Sequence, residues 1–225
     1  MRLLVLDNAI DHDMYRPVEH WTRLAGFVPD SVYAPSGAGL PAPGDHTHVI
    51  LSGSESSIVD RAPWAEAERS WVQQAAVRGV HILGSCWGHQ LIAAALGGPE
   101  CVRRSPTPEF GWEHIELQPR DEAGIIPSSF DSFVSHFDEV VPGCHAELRV
   151  LASSPGCAVH ALRWGDLPVW GVQAHPEIDP QTGRGFLELA LRRWPEHAPL
   201  FRAALDGPVR DSRIGRALVE RFLAA

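Results

Sequence analysis

The sequence contains no lysine, so arginine supplies every one of its strongly basic side chains. This absence excludes Schiff-base catalysis by lysine and the phosphate-binding loop that depends on a lysine. Acidic residues outnumber basic ones, and the formal net charge of −9 argues against nucleic acid as the main partner. No apolar run approaches the roughly 20 residues that span a bilayer, and the N-terminal segment is too acidic for a signal peptide. We therefore expect a mature, cytoplasmic protein that binds neither membrane nor nucleic acid.

Cysteine is also scarce, and its spacing matches no known metal or redox motif. No pair has C-x-x-C spacing, which predicts neither a zinc site nor a dense disulfide framework. The four cysteines are Cys86, Cys101, Cys144 and Cys157. The twelve histidines show no H-E-x-x-H or similar ligand spacing, so we expect no metal. A Walker loop, a G-x-G-x-x-G opening a helix and an ATP-pyrophosphatase loop are all missing, so we expect no cofactor.

The first half of the chain alternates short apolar runs with segments of helical periodicity. Strands are predicted at 2–6, 31–34, 48–51 and 80–83, and helices at 15–25, 63–77 and 91–96. This β-α order predicts an α/β fold whose open, mostly parallel sheet is flanked by helices.

After Cys101, prolines and glycines separate shorter strand-like segments, which predicts an added small antiparallel sheet. These strands are predicted at 114–117, 133–135, 148–152, 158–164 and 169–172, followed by helices at 185–193, 198–205 and 211–223. We expect one domain over residues 1–193 and a C-terminal helical extension, residues 194–225, packed on that same domain.

A cysteine lies at the sharp corner between a predicted strand and helix, in Gly84-Ser85-Cys86-Trp87-Gly88. This is the arrangement of a nucleophile elbow, with cysteine in place of serine. The thiol would project above the carboxyl ends of the strands, where open α/β sheets bind ligands. The N-terminus of the following helix would favour the thiolate, which is the form that attacks. A small buried cysteine would give the same pattern, so the elbow alone leaves both interpretations open.

A second segment, VWGVQAHPEI at 169–178, favours the interpretation of Cys86 as a catalytic nucleophile. Pro176 biases His175 towards extended backbone, in which residues two apart share a face. His175 and Glu177 can therefore point to one place if the chain also bends. A thiol, an imidazole and a carboxylate together can form a catalytic triad of a nucleophile, a base and a group that orients the base. His12, Asp13 and Tyr15 follow the first strand and either border the pocket or form a loop.

Five segments occur in the order found in the class I glutamine amidotransferases, which the chain resembles over most of its length. They are ILSGSESS at 50–57, GSCWGHQ at 84–90, EFGW at 109–112, SHFDEV at 135–140 and GVQAHPE at 171–177. The resemblance is to the glutaminase part of GMP synthetase and its stand-alone relatives, and it implies their flavodoxin-like fold. It implies that Cys86 is the nucleophile, His175 the general base and acid, and Glu177 the residue that orients His175.

The same resemblance implies the rest of the site. The oxyanion hole would use backbone N–H groups of Trp87 and of Gly53 or Ser54. The amino-acid part of glutamine would be held by Gln90 and by the backbone around Ser135, His136 and Phe137. GMP synthetases carry Gly-Gly-Pro where this chain has Gly53-Ser54-Glu55, and the variant is similar to stand-alone relatives that include γ-glutamyl peptidases. Glu55 either places a negative charge near the mouth of the site or faces water.

The leading hypothesis is an enzyme that hydrolyses the γ-amide of glutamine through a γ-glutamyl thioester on Cys86 and releases ammonia to a separate ATP-dependent synthetase. The second keeps this chemistry for γ-glutamyl conjugates and needs no partner. The third is a catalytically silent protein with a binding or regulatory role, which would have no physical need of Cys86, His175 and Glu177 together. Another family with an elbow cysteine on an α/β sheet does not account for the His-Pro-Glu segment.

Overall fold

The computed structural model describes residues 1–118 and 125–225. Nine strands run through these residues: β1 (Leu3–Asp7), β2 (Asp30–Tyr33), β3 (His48–Leu51), β4 (His81–Ser85), β5 (Val102–Leu117), β6 (Phe130–Val140), β7 (Leu148–Ser153), β8 (Ala161–Trp164) and β9 (Val169–Val172). Six α-helices accompany them: α1 (Pro17–Ala25), α2 (Pro63–Val77), α3 (Trp87–Gly97), α4 (Pro180–Arg193), α5 (Ala198–Asp206) and α6 (Gly215–Ala224).

The strands form one sheet in the order β2-β1-β3-β4-β9-β8-β7-β5-β6. The first five in that order are parallel, and the pairs from β9 onwards are antiparallel. The predicted α/β class, with a mostly parallel sheet flanked by helices, is confirmed. The segments predicted for an added antiparallel sheet correspond to β5–β9, which are continuous with the main sheet. Strand β9 pairs parallel with β4, whereas β8, β7, β5 and β6 follow it in antiparallel pairs.

The parallel strands β1, β3, β4 and β9 are buried on both faces, which explains their largely apolar sequences, whereas the edge strand β2 is mostly exposed. Alternate residues of each strand face opposite sides of the sheet. Leu4, Leu51 and Ile82 pack in one buried cluster with α2 and α3, whereas Leu3 and Ile50 pack in a second cluster with α1 and α6.

Strand β4 lies between β3 and β9, and all three run in the same direction. The segments that follow them, beginning at Ser52, Cys86 and Gln173, therefore leave the sheet at one edge. This topology brings together three of the segments that carry the sequence motifs.

The two long strands β5 and β6 extend well beyond the predicted segments 114–117 and 133–135. Pro106 and Pro108 within β5 cannot donate ladder hydrogen bonds, and the register shifts between Arg104 and Glu109. Prolines locally indicate a loop, but here they occupy an irregular stretch of a continuous strand.

The C-terminal helices contribute large buried side chains to the core. Phe201 of α5 packs in an aromatic cluster with Trp112 and Phe133, and Phe222 of α6 packs in the cluster beside α1. Helix α6 begins at Gly215, four residues after the predicted start at residue 211.

A disulfide joins Cys101, just before β5, to Cys144 in the loop after β6. The cysteine spacing gave no indication of this bond. Within residues 1–118 and 125–225, none of the helices combines the length and the apolar composition needed to cross a membrane.

Candidate functional site

Cys86 forms the corner between β4 and α3, with φ 48° and ψ −105°. L-residues rarely adopt positive φ, so the surrounding structure must hold this conformation. The backbone N–H of Cys86 donates to Val172 of β9 (2.8 Å), and its carbonyl accepts from Gln90 N–H (3.1 Å) in the first turn of α3. The thiol lies at the helix N-terminus, as the sequence predicted.

The two glycines of the motif are required by close packing. A Cβ on Gly84 would lie 2.5 Å from the Gly88 carbonyl carbon. A Cβ on Gly88 would lie 2.7 Å from the carbonyl carbon of Leu51 at the end of β3. Real Cβ atoms do not approach so closely, so α3 can start directly above β3 and β4 only with glycine at both positions.

His175 is held between Cys86 and Glu177. Its Nδ1 lies 2.8 Å from Glu177 Oε1, and its ring and the Cys86 side chain line the same cavity. Its backbone N–H donates to Phe133 of β6 (2.8 Å), and its carbonyl accepts from Ile178 N–H (3.1 Å). This last bond closes a turn and supplies the bend that the His-Pro-Glu segment needed for both side chains to meet.

Neighbouring groups shift the pKa values of His175 and Glu177. Burial by itself would lower the pKa of His175, but the neighbouring Cys86 sulfur and the Glu177 carboxylate raise it to about 10. Burial raises the pKa of Glu177, and this is outweighed by the charge of His175 and by hydrogen bonds, so its pKa is lowered. The geometry therefore favours a carboxylate and an imidazolium next to the thiol.

Two further side chains orient Glu177. The Tyr15 hydroxyl donates to Oε1 (2.7 Å), and Ser85 Oγ lies 3.2 Å from both carboxylate oxygens. The sequence left open whether Tyr15 borders the pocket or lies in a loop, and it indicated no role for Ser85. Ser85 could have been found from its position, because it immediately precedes the elbow cysteine at the end of a parallel strand.

The segment expected to contribute to the oxyanion hole lies beside His175. A Cβ on Gly53 would be 2.7 Å from His175 Cε1, so the absence of a side chain lets this backbone reach the imidazole. Ser54 and Trp87 both line the cavity that contains Cys86. Trp87 is the first residue of α3, and its backbone N–H is therefore among those that a helix leaves unpaired.

The residues expected to hold the amino-acid part of glutamine also line this cavity. The Gln90 amide nitrogen donates to the Asp138 carbonyl (2.8 Å) and to Gln173 Oε1 (3.1 Å). The Cys86 thiol lies 3.6 Å from the carbonyl oxygen of Ser135. The His136 ring is directed instead to Glu109, with 3.0 Å between Nε2 and Oε2.

The cavity above Cys86 has a volume of about 230 Å³. Its polar side includes Ser54, Glu55 and Ser57. Glu55 accepts a hydrogen bond from the Ile10 N–H (2.7 Å), and burial raises the pKa of Glu55. The sequence left open whether Glu55 lies near the mouth of the site or faces water, and the structure places it at the cavity.

Aromatic rings form the other side of the cavity. They are Phe110, Phe137, Phe186, Trp194 and His197. The ring centroid of Phe137 lies 4.9 Å from that of Phe110 and 4.6 Å from that of His197. The sequence assigned a role only to Phe137. Phe110 lies in the EFGW motif without an assigned role, and the other three rings lie outside the motifs and join them only through folding.

An open α/β sheet with a cysteine at a strained strand-to-helix corner, facing an imidazole and a carboxylate, defines the structural class. A family model described as glutamine amidotransferase class-I matches residues 42–191. The chain therefore belongs to the class I glutamine amidotransferase family.

Curated relatives match part of the chain. A glutamine-hydrolyzing GMP synthase from Aeropyrum pernix is 40% identical over 148 residues, which are 62% of this chain and 26% of that protein. One subunit of the glutamine-hydrolyzing GMP synthase from Methanococcus vannielii is 40% identical over 118 residues, 50% of this chain and 57% of that protein. The matched region thus spans a quarter to little more than half of these relatives.

The crystal structure of a glutamine amidotransferase from Thermotoga maritima has the same fold, with a TM-score of 0.77 at 20% identity. The alignment covers 100% of this chain and 99% of that one. A glutamine amido transferase from Methylobacillus flagellatus gives a TM-score of 0.76 at 19% identity, covering 99% and 94%.

Proposed function

We propose that the protein hydrolyses the γ-amide of glutamine and that the ammonia passes to a separate ATP-dependent synthetase. The observation that carries this proposal is the position of His175, which is hydrogen bonded to Glu177 and lines one cavity together with Cys86. Family membership supports glutamine as substrate, and relatives that are named as one subunit of a GMP synthase support a synthetase on another chain.

The reaction begins when the Cys86 thiolate attacks the amide carbon. The carbonyl oxygen becomes an oxyanion, which backbone N–H groups of Trp87 and of Gly53 or Ser54 stabilise. Protonated His175 gives its proton to the leaving nitrogen, the C–N bond breaks, and ammonia departs from a γ-glutamyl thioester.

Water completes the cycle. His175, now neutral, takes a proton from the water that attacks the thioester, and the C–S bond breaks to give glutamate and the Cys86 thiolate. Glu177 keeps the imidazole oriented and stabilises its positive charge. Tyr15 and Ser85 act as positioning residues through Glu177.

The first test is an assay of the pure chain for ammonia release from glutamine. We expect Cys86→Ala to lose at least about 10⁴-fold in kcat while retaining its circular dichroism spectrum. Glu177→Gln should lose less than His175→Ala, because glutamine can still hold the ring but alanine removes the proton carrier. Unimpaired hydrolysis by Cys86→Ala would overturn the assignment.

Labelling gives an independent check on the nucleophile. A glutamine analogue with a diazoketone side chain should modify Cys86 and spare Cys157, the other free cysteine within the described residues. Cys157 is buried and does not line the cavity that contains Cys86, so the analogue should not reach it. Peptide mapping that finds Cys157 modified first would contradict the assignment.

The aromatic side of the cavity favours a second candidate, hydrolysis of γ-glutamyl conjugates. Ammonia needs no apolar surface as it leaves, whereas an aromatic amine would pack against Phe137 and Trp194. If this candidate is correct, a γ-glutamyl anilide should be a better substrate than glutamine. Trp194→Ala should then slow hydrolysis of the anilide and leave hydrolysis of glutamine unchanged. Glutamine turnover that rises when a synthetase is added favours the first candidate instead.

A further inference from the structure

Four metal-binding side chains that are distant in sequence meet below the cavity floor. They are Glu109 of β5, His136 of β6, and Cys157 and His160 of the segment between β7 and β8. All four are buried, and their candidate donor atoms lie within 4.8 Å of one another. Glu109 Oε2 is 3.0 Å from His136 Nε2 and 2.9 Å from His160 Nε2.

The hydrogen bonds of His136 require either a proton or a cation between its ring and Glu109. Its Nδ1 lies 3.0 Å from the carbonyl oxygen of Asp138, which can only accept. Nδ1 therefore carries a hydrogen, and a neutral ring would present the bare lone pair of Nε2 to the Glu109 carboxylate, 3.0 Å away. That contact is repulsive unless a proton lies between the two atoms or a cation binds both groups, and the second alternative points to a metal.

We propose that Glu109, His136, Cys157 and His160 bind one zinc ion. Two imidazoles, one thiolate and one carboxylate are ligands that zinc prefers, and four ligands complete its tetrahedral shell. The charges of the thiolate and the carboxylate cancel that of Zn²⁺, so the occupied site is neutral, as a buried site requires.

The spacing of the donors is close to that of such a shell. Bonds of about 2.0–2.3 Å in a tetrahedron separate ligand atoms by about 3.3–3.8 Å. The longest separation here, at most 4.8 Å, must shorten by about 1 Å, while the two contacts of Glu109 Oε2 lengthen slightly. Rotations of the Cys157 and Glu109 side chains supply movements of this size.

Groups around the cluster already orient the ligands. Ser154 Oγ donates to Glu109 Oε1 (2.7 Å) and leaves Oε2 for the metal. The Asp138 carbonyl fixes the His136 tautomer with Nε2 available. Such outer hydrogen bonds are typical of metal ligands.

A filled four-ligand shell leaves no open position, so the zinc is structural and takes no part in the reaction. His136 lies between Ser135 and Phe137, and all three line the cavity. The metal therefore fixes the strand that faces Cys86. This placement is independent of which γ-glutamyl substrate the enzyme uses.

The test measures metal binding by the full chain, without reference to activity. After treatment with a chelator, the chain is dialysed against Zn²⁺, and we expect one equivalent to be retained. With Co²⁺ as a spectroscopic probe, we expect a thiolate-to-cobalt charge-transfer band. Absence of retained metal would overturn the proposal and leave the cluster as a hydrogen-bonded network.

Matched variants locate the site. Cys157→Ser should remove the charge-transfer band, whereas Cys86→Ser, which alters the other free cysteine, should keep it. His160→Gln should weaken zinc binding at least about tenfold, whereas His114→Gln on the exposed side of β5 should not. A band that survives Cys157→Ser or disappears in Cys86→Ser would refute this site.

One measurement needs no variant and so does not depend on how the variants fold. X-ray absorption at the zinc edge of the wild-type chain should report one sulfur and three nitrogen or oxygen ligands. A shell without sulfur, or one with six light ligands, would overturn the assignment.

Discussion

The Glu177 carboxylate accepts hydrogen bonds from three side chains that belong to three separate segments of the chain. His175 and Tyr15 bind Oε1, and Ser85 binds both oxygens. A buried carboxylate is stable only with such partners. Because the donors approach from different directions, they fix the plane of the carboxylate and therefore the orientation of the imidazole.

Tyr15→Phe removes one of these donors and preserves the ring. We expect kcat for glutamine hydrolysis to fall about 10- to 100-fold, because a hydrogen bond to a charged group contributes about 1.5–3 kcal/mol. Steady-state kinetics would measure this loss. The control is Tyr33→Phe, which alters the other tyrosine of the chain at an exposed position. Equal activity of the two variants would show that Tyr15 does not position Glu177.

The pKa of His175 gives a prediction about pH. Burial lowers this pKa, but the charges of Cys86 and Glu177 raise it to about 10. A raised pKa means that the proton is held below about pH 10 and lost above it, so the supply of a proton to the leaving nitrogen should fail as pH rises through that value. In Cys86→Ala the largest raising influence is gone, so His175 should titrate at lower pH.

Nuclear magnetic resonance of the histidine rings can follow this titration, with His175→Ala identifying the signal. An unchanged midpoint in Cys86→Ala would show that the thiolate does not act on His175.

The sequence could predict Cys86, His175 and Glu177 as a group, because each belongs to a short motif at the end of a buried strand. It could not predict the cluster of Glu109, His136, Cys157 and His160. Those residues are separated by up to 51 positions and meet only because β5 pairs with β6 and the loop before β8 folds against both.

At the scale of elements, the contact between α3 and β3 decides where the elbow lies. Gly88 leaves room for the Leu51 backbone at the end of β3. Helix α3 is otherwise almost entirely buried, so it cannot move outwards without exposing its apolar side chains.

Gly88→Ala should destabilise the protein by about 1–3 kcal/mol, the usual cost of overpacking a core. Urea denaturation would measure the change. Gly185→Ala in α4 is the matched control, because its Cβ would meet nothing within 4 Å. That variant should instead be about 0.5–1 kcal/mol more stable, since alanine favours helix over glycine. A neutral Gly88→Ala would contradict the tight contact.

Element boundaries were predictable where apolar runs end at clear breaks. The predicted helix at 63–77 coincides with α2, and the strand at 48–51 with β3. The strand predicted at 114–117 covers only the end of β5, because Pro106 and Pro108 signal a loop locally while pairing with β6 extends the strand through them. Long-range pairing of this kind leaves no local pattern.

At the scale of the whole molecule, the C-terminal segment contributes side chains to the buried core. Phe201 is fully buried beside Phe110 and Trp194. We propose that residues 194–225 are an extension of the single domain that begins at residue 1.

Phe201→Ala tests this proposal. If the segment belongs to the same cooperative unit, the cavity should lower the free energy of global unfolding by about 3–5 kcal/mol. Fluorescence and circular dichroism should then report one coincident transition in urea. Leu200→Ala, at the neighbouring exposed position, should change stability little. A separate early transition that affects only the C-terminal helices would show that they fold independently.

At Cys86 the proposed chemistry requires a thiol, whereas the positive φ of the backbone favours glycine. Glycine accepts this conformation far better than any residue with a Cβ, and a strained φ/ψ pair costs about 1–3 kcal/mol. Cys86→Gly should therefore unfold at higher urea concentration than Cys86→Ser, although neither retains the thiol. If the protein no longer needed this thiol, replacing Cys86 by glycine would increase the free energy of unfolding in a single step.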